Sequence, residues 1–340
     1  MWLAICKFEI LYKLRRPETY VYFVFLLAVS VFAFDFIYQG KEMGPLHSSS
    51  PQVIGKIMAV LSGFFMIINS MIMGVPVLKD YGHKMESLIF VSPIQKWEYL
   101  LGRYLGSFVV LFAVYFAILL GMMIGDWMPW REAGTIGENY LLNYLHTYAI
   151  VVLPVLFFGG SIFFVTGMLS RKMIVVYTQG LVFFLILLIS VKIENPLVSG
   201  VMDPFSHMAI GQLMSAVSLE EAANQLIPIR GVLLYNRVFW CGLGIAALLY
   251  GYFTFSFGVD FNQKRKTVPS YDRVVEAPSS GSAKLSPGFT SYGLRTSAAQ
   301  LVAHSFFYFY TILRKPSFWA IVICGIVTIL VNSVNLGLTY

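Results

Sequence analysis

The stretch "IQKWEYLLGRYLG" (94–106) runs without a break into "SFVVLFAVYFAILLGMMIG" (107–125). The first half is helix-forming and carries Lys96, Glu98 and Arg103. The second half has no charge and comes close to the run of about 20 apolar residues that one bilayer crossing needs. A membrane span therefore opens with a charged run-up, and the rest of the chain has to account for it. Ser92 and Pro93 precede the run-up. Ser92 reads as an N-cap, Pro93 as the first helical residue and Gln95 as the far half of a capping box. Upstream, "KMESLIFV" places Met85, Leu88 and Ile89 at helical spacing with Lys84 and Glu86 off that face. The spacing thus predicts two short helices meeting at a Ser-Pro corner, the second continuous with the span.

The whole chain favours lipid as its solvent. It has 340 residues, of which 58% are hydrophobic and 12% charged, with a mean hydropathy of +0.73. Soluble domains are about 45–50% apolar and about 25% charged. Seven stretches are apolar and long enough to span: 20–38, 57–78, 104–125, 146–169, 173–191, 232–257 and 317–336. The expected fold class is therefore an all-α polytopic membrane protein, with a six-helix unit followed by a seventh span. With the N-terminus inside, 18 of the 24 Lys and Arg fall on the inner side, as the positive-inside rule requires. The net charge of +7 lies mostly between spans, so nucleic acid is not an expected partner. Cys6, Cys241 and Cys324 lie in apolar stretches without ligand or disulfide spacing and read as buried filler.

The N-terminal "MWLAICKFEILYKLRRPETY" reads as a helix lying in the membrane interface. Leu3, Ile10 and Leu14 share one face, Glu9, Lys13 and Arg16 the opposite one, and Pro17 turns the chain into the first span. This elbow recurs. "LRRP" at 14–17 is matched by "LRKP" at 313–316, so that Arg15, Arg16 and Pro17 correspond to Arg314, Lys315 and Pro316. Six spans separate the copies, which places both on one side and makes the repeat parallel rather than inverted. Span seven then begins a second unit, and the chain is expected to be part of a longer one. The expected domains are a six-span unit at 1–258, a Ser/Pro/Gly-rich inner linker at 259–298 and the second elbow with its span at 299–340. On the outer side, "SLEEAANQL" has a capping box between Ser218 and Glu221. Pro76 and Pro154 are expected to bend spans two and four.

Chemistry is scarce. There is no phosphate-binding loop, no HExxH helix and no Gly-x-Ser-x-Gly elbow, so no enzymatic activity is expected of the chain. His146 and His207 lack ligand spacing, and no metal is expected. Asn69 and Gln179 lie near mid-span, where they either hydrogen-bond between helices or line a path.

Taken together, the elbow "FEILYKLRRPETY", the six spans and above all "KDYGHKMESLIFVSPIQKWEYLLGRYLGS" resemble the permeases of type 2 ATP-binding cassette exporters. The resemblance covers residues 1–257 and resumes at 299. The matching features are Glu86, Pro93, the aromatic-acidic-aromatic run Trp97-Glu98-Tyr99 and the pair Gly102-Arg103, with Asp80 and Lys84 upstream. It implies that 79–103 is a cytoplasmic coupling loop docking on a separate ATP-binding cassette ATPase, which would bind the ATP and magnesium. It also implies a second permease half or a homodimer, contact with membrane lipids and a place in the cell membrane, a bacterial inner membrane. A polytopic anchor for a partner or a fused catalytic domain, without transport, is the alternative. On the residues alone, a helix pair lying on lipid headgroups accounts for 79–103 equally well.

Overall fold

The computed structural model describes residues 1–38, 46–82, 85, 89, 92–130, 140–257 and 294–313. The chain divides into two compact units, Met1–Phe257 and Gly258–Tyr340. Among the described residues it is all helical. Five helices are long and apolar enough to cross a membrane, and a bent pair makes up to six. This is the build of a multi-pass membrane protein.

In the first unit, α1 (Trp2–Leu14) leads through a two-residue corner into α2 (Pro17–Tyr38). Pro17 opens α2, where its missing N–H costs nothing, and the Thr19 hydroxyl closes the corner by donating to the Lys13 carbonyl at 2.7 Å. Next comes a bent pair, α3 (Pro51–Phe64) and α4 (Met66–Met73), inclined at 54°. The break falls at Phe65, not at Pro76, which lies beyond the helix end and bends nothing. The Tyr115 hydroxyl donates to the Phe65 carbonyl, and such an inserted side chain is a recognised cause of a kink. A short α5 (Leu78–Gly82) follows.

Helix α6 (Lys96–Asp126) has 31 residues. At about 1.5 Å per residue it is about 46 Å long, well beyond a hydrocarbon core of about 30 Å. Run-up and span are thus one rod, as the sequence predicts, but its start differs. Ser92 to Gln95 form a turn with Pro93 exposed, and the cap is Gln95. The Gln95 N–H donates to Glu98 Oε2 at 3.2 Å. The acidic residue three positions on, rather than the Ser-Pro corner, decides where the helix begins.

The next helix long and apolar enough to cross a membrane, Leu141–Ser170, runs through α7 (Leu141–Thr147), one π turn at Tyr148–Val152 and α8 (Leu153–Ser170). Pro154 cannot donate to the carbonyl four residues earlier, and the wide turn lies directly before it. Helices α9 (Met173–Val191) and α13 (Gly231–Thr254) complete the bundle. Between them lie three short helices, α10 (Pro196–Met202), α11 (His207–Ser215) and α12 (Leu219–Asn224). Asn236 of α13 holds this layer. Its buried amide donates to the carbonyls of Gly200 at 2.8 Å and Asp203 at 2.6 Å and accepts from the Ser206 hydroxyl at 2.7 Å. The Ser218–Glu221 capping box forms as read, at 3.3 and 3.2 Å. Cys6 and Cys241 are half-buried free thiols rather than buried filler.

In the second unit, α14 (Leu294–Leu313) exposes Leu301, Phe306 and Phe307. The predicted span 317–336 and the corner Arg314, Lys315 and Pro316 lie outside the described residues.

Candidate functional site

The charged residues of the elbow and of the loop 79–103 converge on one another. The face of α1 that packs inward is its charged one: Glu9 is fully buried and Lys13 is 8% exposed, while Leu3, Phe8, Leu11 and Leu14 are exposed. Lipid tails are as apolar as leucine, so nothing drives the leucine stripe inward, whereas a charge left in lipid is costly unless paired.

The pairing is dense. Lys79 Nζ lies 2.8 Å from Glu9 Oε2 and 3.0 Å from Oε1. Arg103 places one Nη at 2.5 Å from Glu9 Oε2 and the other at 2.8 Å from both oxygens of Asp80. The Tyr99 hydroxyl donates to Asp80 Oδ2 at 2.6 Å. Lys13 stands 3.8 Å from Glu9 and donates to the Ile72 carbonyl near the end of α4. The Lys79 ammonium also sits 3.8 Å above the Tyr12 ring. Two carboxylates, Glu9 and Asp80, thus face three cations, Lys13, Lys79 and Arg103, and tie together α1, α5 with the end of α4, and the start of α6.

The excess positive charge falls on Lys13. Burial pulls its ammonium down from 10.5 to about 7, with Lys79, Arg103 and Arg16 acting in the same direction and Glu9 opposing them. Burial alone would raise the Glu9 carboxyl, but Lys13, Lys79 and Arg103 outweigh it and hold Glu9 below its ordinary 4.5.

Glycines let the helices come this close. A Cβ on Gly102 would lie 2.8 Å from the Trp2 carbonyl oxygen, and one on Gly106 would lie 2.8 Å from the Cys6 carbonyl oxygen and 2.7 Å from Glu9 Cβ. The Gly102-x-x-x-Gly106 spacing is the small-residue seam on which α1 rests.

Of the residues singled out in the sequence, Glu9, Asp80, Gly102 and Arg103 are brought together here. Glu98 caps α6 and binds the N-terminal ammonium at 3.2 Å. Trp97 is exposed and donates to Gln95 Oε1 at 2.6 Å. Arg15 is exposed, and Arg16 stacks on Tyr12 with its Cζ 4.6 Å from the ring. Lys84 and Glu86 lie outside the described residues. Asn69 is fully buried against Met66, and Gln179 bridges to Thr166 at 2.7 Å. Sequence reasoning missed Lys13, Lys79 and Tyr99 as members of the cluster. The i,i+4 pairs Glu9/Lys13 and Tyr99/Arg103 were the available signal.

The cluster holds no nucleophile beside a base, and no group of three metal-ligating side chains occurs among the described residues. What it can do is mechanical. It fastens the entry and the exit of the loop to each other and both to the elbow. Comparison with protein-family models, with curated proteins and with solved structures finds no match to this chain.

Proposed function

We propose that this chain is the membrane-spanning subunit of an ATP-driven exporter and couples through its 79–103 loop to a separate ATP-binding cassette ATPase. In this reading the bent pair α3–α4 counts as one span of a six-helix unit, and the N-terminus and the loop face the cytoplasm of a bacterial cell. A second permease half or a second copy of this chain completes the path, and ATP and magnesium are held by the partner.

The observation that carries the reading is the ion cluster at the neck of the loop. A coupling element has to transmit displacement into the spans, so its two ends must not slide past one another. Asp80 at the entry and Tyr99 and Arg103 at the exit are fastened by bonds of 2.6–2.8 Å, and Glu9 extends the fastening to the elbow. An interfacial helix pair resting on headgroups would need no such clamp. The bias of Lys and Arg toward the loop side supports the orientation, and the elbow motif supports the family.

The test is purification of the full chain from its own membranes, identification by mass spectrometry of any stoichiometric subunit with a phosphate-binding loop, and assay of ATP hydrolysis. Glu86→Lys and Pro93→Gly, both within the loop, are expected to weaken association while leaving membrane insertion unchanged. A chain that brings no ATPase with it, or loop variants that associate normally, would reject the proposal.

A further inference from the structure

A groove opens on the side of the bundle between the start of α6, the end of α8 and the end of α13. Trp97, Tyr104, Phe164, Met168, Leu249 and Tyr252 are among its walls, and it encloses about 340 Å³. Its interior is dry in character. The Trp97 indole N–H is turned to Gln95, and the Tyr104 hydroxyl pairs with Ser161 Oγ at 2.9 Å. From Trp97 to Tyr104 the groove runs along two turns of α6, about 10 Å at about 1.5 Å per residue. A water's share of the liquid is about 30 Å³ and a methylene needs nearly as much, so the groove takes roughly ten chain carbons.

The mouth is of a different kind. It lies at the end of the bundle that carries Met1, and its Trp97 and Tyr252 are of the residue types enriched where a bilayer meets water. There the Lys96 ammonium stands 4.8 Å above the Tyr252 ring. The nearest acid in sequence, Glu98, is already engaged by the N-terminal ammonium at 3.2 Å and the Gln95 N–H at 3.2 Å. Lys96 has no carboxylate partner among the described residues.

We infer that this groove is a binding site for an anionic phospholipid, with one acyl chain lying along Tyr104, Phe164 and Leu249 and the phosphate paired with Lys96. The shape favours a chain over a protein segment. A slot for roughly ten carbons is far smaller than the patch of about 800 Å² per partner in a standard protein interface. The charge at the mouth favours an anionic over a zwitterionic headgroup. The site does not depend on the proposed transport function.

The test is quenching of Trp97 by brominated acyl chains. The full chain is reconstituted in phosphatidylcholine vesicles containing a minority of phosphatidylglycerol, with bromine on one lipid or the other, and the Trp97 signal is the difference between wild type and Trp97→Phe. The expected result is about fivefold preferential quenching by the anionic lipid at equal mole fraction, the effect of one basic side chain at an anionic surface. Lys96→Gln should abolish the preference and Lys96→Arg keep it, while Ile245→Phe, filling the groove from its exposed wall, should reduce quenching by both lipids. Equal quenching by the two lipids, or a preference that survives Lys96→Gln, overturns the proposal. So does a Trp97 quenched by neither lipid while cysteines at Leu249 cross-link between copies, because a second chain then covers the groove.

Discussion

At the scale of single residues, the account rests on Glu9, which is fully buried and bonded to Lys79 and Arg103. Glu9→Gln leaves those two cations buried with a counter-charge missing. Breaking a buried pair from one side costs about 3–5 kcal/mol, so this variant should melt well below wild type in detergent. Glu18→Gln, which removes an exposed acid 3.7 Å from Arg16, should not shift the melting temperature measurably. The same cluster sets a pH response with two limbs. Lys13 has its folded pKa lowered to about 7 from 10.5, so between those values the unfolded chain holds more protons and stability rises with pH. Glu9 is held below 4.5, so its contribution is present above 4.5 and is lost as pH falls through the lower folded value. Melting curves across pH 3 to 10 should therefore rise toward the alkaline end, and Lys13→Met should flatten the alkaline limb while only weakening the acid one, because Lys79 and Arg103 still face Glu9.

At the scale of helices, the seam between α1 and α6 depends on glycine. Gly106→Val would drive a side chain against the Cys6 carbonyl oxygen, 2.8 Å from the added Cβ. Backbone cannot give way as a flexible side chain can, so overpacking of about 1–3 kcal/mol should fall on the contact with α1. Hydrogen exchange should accelerate over residues 2–14 and leave α8 and α13 unchanged. A valine at Gly242, which has open space around it, should change neither. How much of this was legible in the sequence follows the same physics. The rod 96–126 was readable because an apolar run and a charged run-up share one helical register. The elbow was readable because Pro17 can only start a helix, not continue one. The break at Phe65 was only faintly legible: Ser62-Gly63, a pair that permits a kink, lies just before it, but the Tyr115 hydroxyl that takes the Phe65 carbonyl is fifty positions away. The inward face of α1 was not legible. Two stripes were visible, but in lipid only the positions of Asp80 and Arg103 decide which one is buried.

At the scale of the whole molecule, the cluster makes the elbow, the neck of the loop and the long rod α6 a single mechanical piece. The apolar exterior of α2, with Val21, Val24, Phe25 and Phe32 exposed, lies along one side of that piece. The candidate cluster was half legible: Glu9, Asp80 and Arg103 stood out as charges beside spans, but three segments had to fold before their pairing was visible. In the proposed coupling, displacement of the loop by an ATPase reaches the spans only through the clamp. The most direct measurement is the rate of ATP hydrolysis by the full chain assembled with its ATPase subunit in lipid nanodiscs, compared between wild type and Asp80→Asn, with assembly verified by native mass. The account predicts that the variant complex still assembles but hydrolyses ATP at the rate of the free ATPase subunit, while wild type differs from it. Identical rates for wild type and Asp80→Asn, in complexes of the same composition, would contradict it.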